Sequence, residues 1–272
     1  MKLFPLSAVA ILFSACSPNN VKEDDSLKKY FDEHKVTGTF GLFDNARGKF
    51  TIYDLKKFKD SAYLPASTFK IVNALIGLET GRVKDDTAVI KWDPNYRFAV
   101  EACNGDLPMF RAFRMSCVPW FQTLARMIGK DTMQRWLDTI GYAQRYKKPV
   151  IKTVDQFWLD NSIKITADEQ LGLVKRMYFQ QLPFQPRTQR IVKSMMLMEN
   201  NSNYQLSYKT GLANSENGNS IGWVVGWIEE NRHPYFFALL VESPDPNADL
   251  VTARMKTLKD ILKQYGFFEG KK

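Results

Sequence analysis

The order of strand and helix patterns constrains the fold of this 272-residue chain more than any other feature. Alternating or β-branched and aromatic strand patterns lie near both ends, at residues 38–54, 204–208, 221–229 and 235–242. Helical periodicity marks residues 26–36, about 67–200 and 250–265. We therefore expect an α/β fold of the α+β type. In it, an antiparallel sheet built from both ends of the chain is flanked by terminal helices, and an all-helical region is inserted between its strands.

The first residues have the pattern of an export signal. Lys2 precedes an apolar stretch, residues 3–13, that is too short to span a bilayer, and Ser14-Ala15 stand directly before Cys16. Small residues ending at a cysteine resemble a bacterial lipoprotein signal, although Phe13 stands where that pattern usually has leucine. We expect an exported, periplasmic protein anchored to the membrane through lipidated Cys16. Cleavage nearby, with a soluble secreted product, is the alternative.

The domain boundaries follow from this pattern. Residues 1–16 are interpreted as the signal, residues 17–25 as a polar tether, and residues 26–272 as a single domain whose helical part covers about 67–200. The net charge is +9, but basic residues are scattered and do not interleave with aromatic ones. This pattern argues against a nucleic-acid partner and is compatible with a cationic cleft for an anionic substrate.

Two cysteines remain after the signal, Cys103 and Cys117. Cys117 lies in an apolar run typical of a small core residue, and two cysteines do not by themselves establish a disulfide, so we predict free thiols. The chain has no C-x-x-C pattern and no cluster of histidine and cysteine, so we expect no metal.

A serine and a lysine one helical turn apart, Ser67 and Lys70, stand where an apolar helical pattern begins. Positions i and i+3 share one face of a helix, and a serine hydroxyl becomes a strong nucleophile when a neighbouring base takes its proton. Lysine can be that base if burial or chemistry removes its charge. The spacing alone is a weak signal, because Ser26 and Lys29 repeat it on what we interpret as a solvated helix. Pro65 and the apolar helix that follows distinguish the Ser67 pair.

Two further motifs strengthen this interpretation. S-x-x-K together with K-T-G is a signature of penicillin-binding serine enzymes, and Lys209-Thr210-Gly211 supplies the second part. Ser116-Cys117-Val118 precedes a proline-started helix, where a serine is most often only an N-cap. Its place between the other two motifs favours instead a second hydroxyl facing the first. His34 ends a polar helix and His233 lies in a turn, so we expect both to be exposed, and neither has a serine-rich or aspartate-rich setting. No G-x-S-x-G is present either, and a Ser-His-Asp hydrolase is therefore disfavoured.

Together these motifs resemble the class D β-lactamases, the oxacillinase group of serine β-lactamases. The resemblance spans nearly the whole mature chain through the stretches Pro65–Lys70, Ser116–Val118, Phe157–Leu159, Lys209–Gly211, Ile221–Trp227 and the residue Arg254. It implies the fold shared by serine β-lactamases and penicillin-binding transpeptidases. It also implies hydrolysis of β-lactam antibiotics through a serine acyl-enzyme.

The resemblance further implies a role for each matching residue. Ser67 would be the acylated nucleophile, and Lys70 the general base, as a carbamate formed with CO2 and without any other cofactor. Ser116 would relay the proton, Lys209 would be a further catalytic group, Val118 would cover the carbamate, and Trp158 would donate a hydrogen bond to the carbamate. Thr210 and Gly211 would line the cleft, and Arg254 would bind the carboxylate of the drug. The backbone N–H groups of Ser67 and Leu212 would form the oxyanion hole. Without the resemblance, Trp158 would be interpreted as core packing and Arg254 as a solvated helix residue.

One stretch departs from the family pattern. Class D enzymes usually carry Tyr-Gly-Asn where this chain has Tyr142-Ala143-Gln144. Alanine disfavours the positive φ that glycine allows, so we expect a reshaped loop and do not transfer that motif's role. Class A is disfavoured because Ser116-Cys117-Val118 stands in place of Ser-Asp-Asn.

Two other functions remain open, a β-lactam sensor domain and a peptidoglycan transpeptidase or carboxypeptidase. Both would be acylated but would turn over poorly, so turnover distinguishes them from a hydrolase. The sequence leaves open whether the protein is a monomer or a homodimer. It also leaves open the β-lactam spectrum, which depends on the shapes of loops 104–113 and 212–219.

Overall fold

The computed structural model describes residues 20–95 and 97–272. The strands of these residues are, in chain order, β1 (Val21–Glu23), β2 (Thr37–Asp44), β3 (Lys49–Tyr53), β4 (Ala62–Tyr63), β5 (Val89–Ile90), β6 (Leu107–Pro108), β7 (Ile165–Thr166), β8 (Leu197–Asn200), β9 (Gln205–Asn214), β10 (Ser220–Glu230) and β11 (His233–Ser243). The helices are α1 (Lys28–Glu33), α2 (Leu55–Asp60), α3 (Lys70–Glu79), α4 (Met109–Arg114), α5 (Val118–Ile128), α6 (Lys130–Ile140), α7 (Ala167–Tyr178), α8 (Pro186–Met195) and α9 (Leu250–Gln264).

In the described residues, seven strands form one sheet in the order β1-β3-β2-β11-β10-β9-β8. The pairs are antiparallel except β1 with β3. β2, from the start of the chain, pairs with β11, from its end, so that Phe40 lies opposite Leu239. The terminal helices α1 and α9 cover one face of the sheet, and α2, α7 and the inserted helical region cover the other. The predicted architecture is confirmed.

The two longest strands, β10 and β11, form the centre of the sheet. Apolar side chains are buried on both of their faces, including Trp223, Trp227 and Phe236. They are joined by a two-residue turn, in which Asn231 and Arg232 both have positive φ, the conformation that a tight hairpin between twisted strands requires. This rigid hairpin supports β9, which borders the candidate site.

Helix α3 is the centre of the helical region. Its residues from Lys70 to Leu78 are all buried, and Gly77 lets α5 approach closely, because a Cβ there would lie 2.9 Å from Leu124. Asn73 of α3 also donates a 3.0 Å hydrogen bond to the Phe121 carbonyl of α5. The first turns of α3 and α5, which carry Lys70 and Val118, are thereby fixed relative to each other.

The prediction of free thiols is wrong. Cys103 and Cys117 form a disulfide, with Cα atoms 5.5 Å apart. The pairing of β5 with β6 brings the two ends of the intervening chain together, and Cys103 in that chain lies against Cys117, the residue before α5. Cys117 is fully buried, as its apolar surroundings predicted.

The segment predicted as a tether, residues 17–25, is in part ordered structure. Val21–Glu23 form β1, which pairs in parallel with β3, and Phe50 N–H donates a 2.7 Å hydrogen bond to the Asn20 carbonyl. Backbone pairing at a sheet edge leaves polar side chains in solvent, so the polar composition gave no sign of it.

The signal and Cys16 lie outside the described residues. Within residues 20–95 and 97–272, the helices are too short or too polar to cross a membrane.

Candidate active site

Ser67 and Lys70 meet at the entrance to α3. A turn from Pro65 to Phe69 leads into the helix, and Lys70 Nζ lies 2.6 Å from Ser67 Oγ. The lysine side chain is completely buried, and this burial lowers its pKa to about 7. About half of such an amine is neutral at pH 7, whereas an ordinary lysine is almost wholly charged. The pair therefore provides a nucleophile with an adjacent base.

The turn that carries Ser67 is strained and firmly held. Ala66 has a φ of 49°, which is unusual for a residue with a Cβ, and its N–H donates to the Trp158 carbonyl at 3.0 Å. Thr68 Oγ1 donates to the Pro65 carbonyl at 2.6 Å and accepts from Gln170 Nε2 at 2.7 Å. Such strain persists where the surroundings determine the conformation, and it is frequent at active sites.

The outer edge of β9 borders this turn. Gly211 permits the approach, because a Cβ there would lie 3.1 Å from the Pro65 carbonyl oxygen. Tyr208 N–H donates outward to the Met196 carbonyl, and N–H directions alternate along an antiparallel strand. The N–H of Leu212 therefore lies on the same outer edge, on the side of Ser67. The N–H groups of Ser67 and Leu212 are two backbone donors that could bind the negative oxygen that develops during the reaction.

Ser116 and Lys209 form a second hydroxyl–amine pair. Lys209 Nζ donates to Ser116 Oγ at 2.9 Å and to the Thr210 carbonyl at 3.0 Å. Lys209 is buried, and this burial and the positive charges of Lys70 and Arg254 hold its pKa well below the ordinary value. The Ser116 side chain does not cap α5, so the N-cap interpretation does not account for it.

Trp158 is fully buried and packs against Phe69, the residue before Lys70. Its ring stacks on Phe69 with centroids 5.2 Å apart, and the Phe121 ring centroid is 5.7 Å from Lys70 Nζ. Val118, the first residue of α5, is half-buried. The buried Trp158 Nε1–H has no hydrogen-bond partner among the described residues. Because buried donors are nearly always paired, this N–H points to a missing acceptor.

Arg254 lies on α9, and its side chain contacts the backbone of β9 at Gly211. Its side chain is buried rather than solvated. Its Nη1 donates to the Gly211 carbonyl, and the absence of a Cβ at Gly222 makes room for its stem, with Cδ 3.3 Å from that position. Burial lowers the pKa of Arg254 to about 10, so it remains charged at neutral pH.

Lys70, Lys209 and Arg254 thus form a cluster of basic groups. In the described part of the chain, none of the three forms a salt bridge. Lys209 and Arg254 line β9 through their contacts with Thr210 and Gly211. Arg254 remains charged at neutral pH without a carboxylate partner among the described residues, and this positive charge favours an anionic ligand.

The stretch Tyr142-Ala143-Gln144 keeps a left-handed conformation despite its alanine. Ala143 has a φ of 55° and is buried, while Gln144 is exposed. Tyr142 packs edge-on against Phe69, with centroids 5.5 Å apart. The substitution of glycine by alanine therefore leaves a positive φ in place, and the neighbouring tyrosine still supports the Ser67 turn.

Sequence reasoning missed two residues that shape the site. Gln170 of α7 holds Thr68 from a distance of about 100 residues in the chain, and Phe121 faces Lys70 from α5. Neither belongs to a local motif. The helical periodicity of residues 67–200 indicated the helices that carry them, α5 and α7.

Comparisons with known proteins agree with this geometry. Residues 26–263 match the penicillin binding protein transpeptidase domain. The β-lactamase OXA-48 of Klebsiella pneumoniae is 36% identical over 97% of this chain and 98% of its own. The crystal structure of the class D β-lactamase YbXI from Nostoc is similar with a TM-score of 0.83 and 33% identity, over 90% of this chain and 100% of that one.

A sensor has the same fold. The C-terminal domain of the Bacillus licheniformis BlaR penicillin-receptor has a TM-score of 0.83 and 30% identity, over 92% of this chain and 98% of that one. The fold alone therefore does not separate an enzyme from a receptor.

Proposed function

This chain belongs to the class D β-lactamases, and we propose that it hydrolyses β-lactam antibiotics through an acyl-enzyme formed on Ser67. The observation that carries the proposal is the 2.6 Å contact between Ser67 Oγ and the buried Lys70 Nζ, whose pKa is lowered to about 7. The pair Ser116–Lys209 lies close enough for the charge of Lys70 to lower the pKa of Lys209.

In acylation, Ser67 Oγ attacks the lactam carbonyl carbon and its proton passes to the basic group at Lys70. The N–H groups of Ser67 and Leu212 stabilise the negative charge that develops on the carbonyl oxygen. The lactam C–N bond then breaks, and the ring nitrogen takes a proton from Ser116 Oγ, which is replenished from Lys209 Nζ at 2.9 Å. These steps leave an ester on Ser67.

Three features of the site support a carbamate on Lys70. With a pKa of about 7, about half of the amine is neutral at pH 7 and most of it is neutral at higher pH, so it can add CO2 with loss of one proton. The Phe121 ring faces the amine, with its centroid 5.7 Å from Nζ. Trp158 stacks on the neighbouring Phe69, and its buried Nε1–H has no acceptor among the described residues. Trp158 Nε1 and Ser67 Oγ would hold the carbamate oxygens, and Val118 would shield them from solvent. When present, the carbamate supplies an anionic base for the water that hydrolyses the ester.

Arg254 is expected to bind the carboxylate that β-lactam drugs carry, together with Lys209. Replacing Arg254 with alanine removes a charge-assisted hydrogen-bond donor, so KM for such drugs is expected to rise about tenfold or more while kcat falls less. The matched control is Lys256→Ala, which removes an exposed cation from the same helix. Steady-state kinetics of both variants test this role, and an unchanged KM in Arg254→Ala would refute it.

Turnover decides between a hydrolase and a β-lactam sensor. We expect the purified protein to convert many equivalents of a chromogenic cephalosporin per enzyme, and bicarbonate to sustain the rate. A sensor or a transpeptidase instead traps about one equivalent as a stable ester. Consumption of a single equivalent of the cephalosporin, with the adduct persisting in intact mass spectra, would contradict the proposed hydrolysis.

We also propose that the protein is exported and anchored through Cys16. The support is the sequence Ser14-Ala15-Cys16 after a short apolar stretch. In fractionated cells, wild type is expected in the membrane fraction and Cys16→Ala in the soluble fraction. Equal release of both would contradict the anchor.

A further inference from the structure

The Cys103–Cys117 disulfide lies next to the proposed catalytic centre. Cys117 is bonded directly to Ser116 on one side and to Val118 on the other, so it separates two residues of the site by a single position. Both cysteines are buried. Cys103 belongs to the segment 91–106 and has no part in the chemistry described above.

A cavity separates this segment from α5. Its volume is about 430 Å³, and it is lined by Trp92, Asp93 and Gly105 on the side of the segment and by Trp120 and Thr123 on the side of α5, with Cys103 at its wall. The segment therefore does not pack directly against α5 along the cavity. The disulfide connects Cys103 of the segment to Cys117, the residue before α5, and Trp120 Nε1 of α5 donates a 2.9 Å hydrogen bond to the Leu107 carbonyl of β6.

Ser116 occupies a conformation that needs such support. Its φ is 61°, in the left-handed region that residues with a Cβ rarely adopt. The backbone on either side is fixed by bonds from Ser116 N–H to the Phe113 carbonyl at 3.1 Å and from Cys117 N–H to the Ala112 carbonyl at 2.9 Å. A strained residue persists only while its surroundings determine its conformation. The sulfur bridge on the adjacent residue is the covalent part of those surroundings.

We propose that the Cys103–Cys117 disulfide is a positioning element of the active site, which holds Ser116 Oγ at its 2.9 Å contact with Lys209 Nζ, and that the enzyme is fully active only when this disulfide is formed. The inference rests on the proposed function. Reduction by a dithiol transfers two electrons and two protons to the two sulfur atoms, giving two cysteine thiols and one oxidised dithiol. Disulfides form in oxidising compartments, so export would coincide with activation.

The test compares the oxidised wild type, the dithiothreitol-reduced wild type, Cys103→Ala and Cys117→Ala. The rate of acylation is followed by intact mass, and hydrolysis of a penicillin by its ultraviolet absorbance, at a temperature where near-ultraviolet circular dichroism shows each protein folded. Because small misplacements of a reacting group have large effects on rate, we expect acylation about tenfold slower or more in all three bridge-free forms. Deacylation is expected to change less. Oxidised glutathione should restore the reduced wild type, and dithiothreitol should have no further effect on Cys103→Ala.

Several results would overturn the inference. Equal acylation rates in the oxidised and bridge-free forms, with only a lower unfolding temperature, would show a purely structural disulfide. A loss confined to Cys117→Ala would assign the effect to side-chain packing at position 117 rather than to the bridge. Failure of the proposed hydrolysis is distinguishable, because it appears as acylation without turnover in the oxidised wild type, and the acylation rates still decide whether the bridge positions Ser116.

Discussion

Replacing Ser67 with alanine is expected to lower kcat for β-lactam hydrolysis by about 10,000-fold or more, because removal of a covalent nucleophile leaves only binding and oxyanion stabilisation. Ser67 Oγ is the hydroxyl that lies 2.6 Å from the buried Lys70 amine. The decisive measurement is intact mass after brief incubation with a slowly hydrolysed β-lactam. The wild type should gain one adduct and Ser67→Ala none.

The chain contains its own matched control for this experiment. Ser26 and Lys29 have the same spacing as Ser67 and Lys70, but both are exposed, and Ser26 Oγ bonds to Asp24 rather than to a lysine. The Ser26→Ala variant should therefore be acylated at the wild-type rate. An adduct that survives in Ser67→Ala would place the nucleophile elsewhere and refute the assignment.

Acidification and removal of CO2 are expected to abolish deacylation, and bicarbonate is expected to restore it. Burial places the pKa of Lys70 at about 7, so the neutral amine that adds CO2 predominates above this pH and decreases about tenfold per unit below it. At pH 5 only about 1% of the amine is neutral. Activity should therefore fall as the pH drops below 7 and recover when bicarbonate is added at neutral pH.

Carbon-13 bicarbonate provides a readout that does not depend on activity. An NMR carbamate signal is expected in the wild type and in Lys29→Ala, which removes an exposed lysine, and it should disappear in Lys70→Ala. Trp158→Phe keeps an aromatic ring against Phe69 but removes the unpaired N–H. This variant should lose the signal more readily on acidification. Full activity in CO2-depleted buffer without any signal would mean that the neutral Lys70 amine or another group is the base.

The layout of the fold was predictable from the chain because its long elements carry strong periodic patterns. The strands β2 and β3, the strands β10 and β11 and the terminal helix α9 all occur where the sequence predicts strands and a helix. The meeting of Ser67 and Lys70 follows from the three-residue spacing at a helix start. The order of the motifs already favoured Ser116 and Lys209 near this pair. The convergence of Arg254 with them was available only through the family resemblance, because Arg254 comes from a separate element.

The incorrect predictions concern contacts that depend on long-range geometry. Cys103 and Cys117 are joined because β5 pairs with β6, and the sequence contains no local sign of that return. Val21–Glu23 enter the sheet through backbone hydrogen bonds that any side chain permits. Gln170, which holds Thr68, is likewise recognisable only in three dimensions.

The position of β11 between β2 and β10 has a consequence for biosynthesis. Phe40 of β2 pairs with Leu239 of β11, about 200 residues further along the chain. The paired strands β2 and β3 therefore cannot join the rest of the sheet until β11 has been synthesised. Pairings between such distant segments are slow to form. The sheet can therefore assemble only after translation is nearly complete. A nonsense mutation before β11 would leave both halves of the sheet with open edges, which are sites of aggregation.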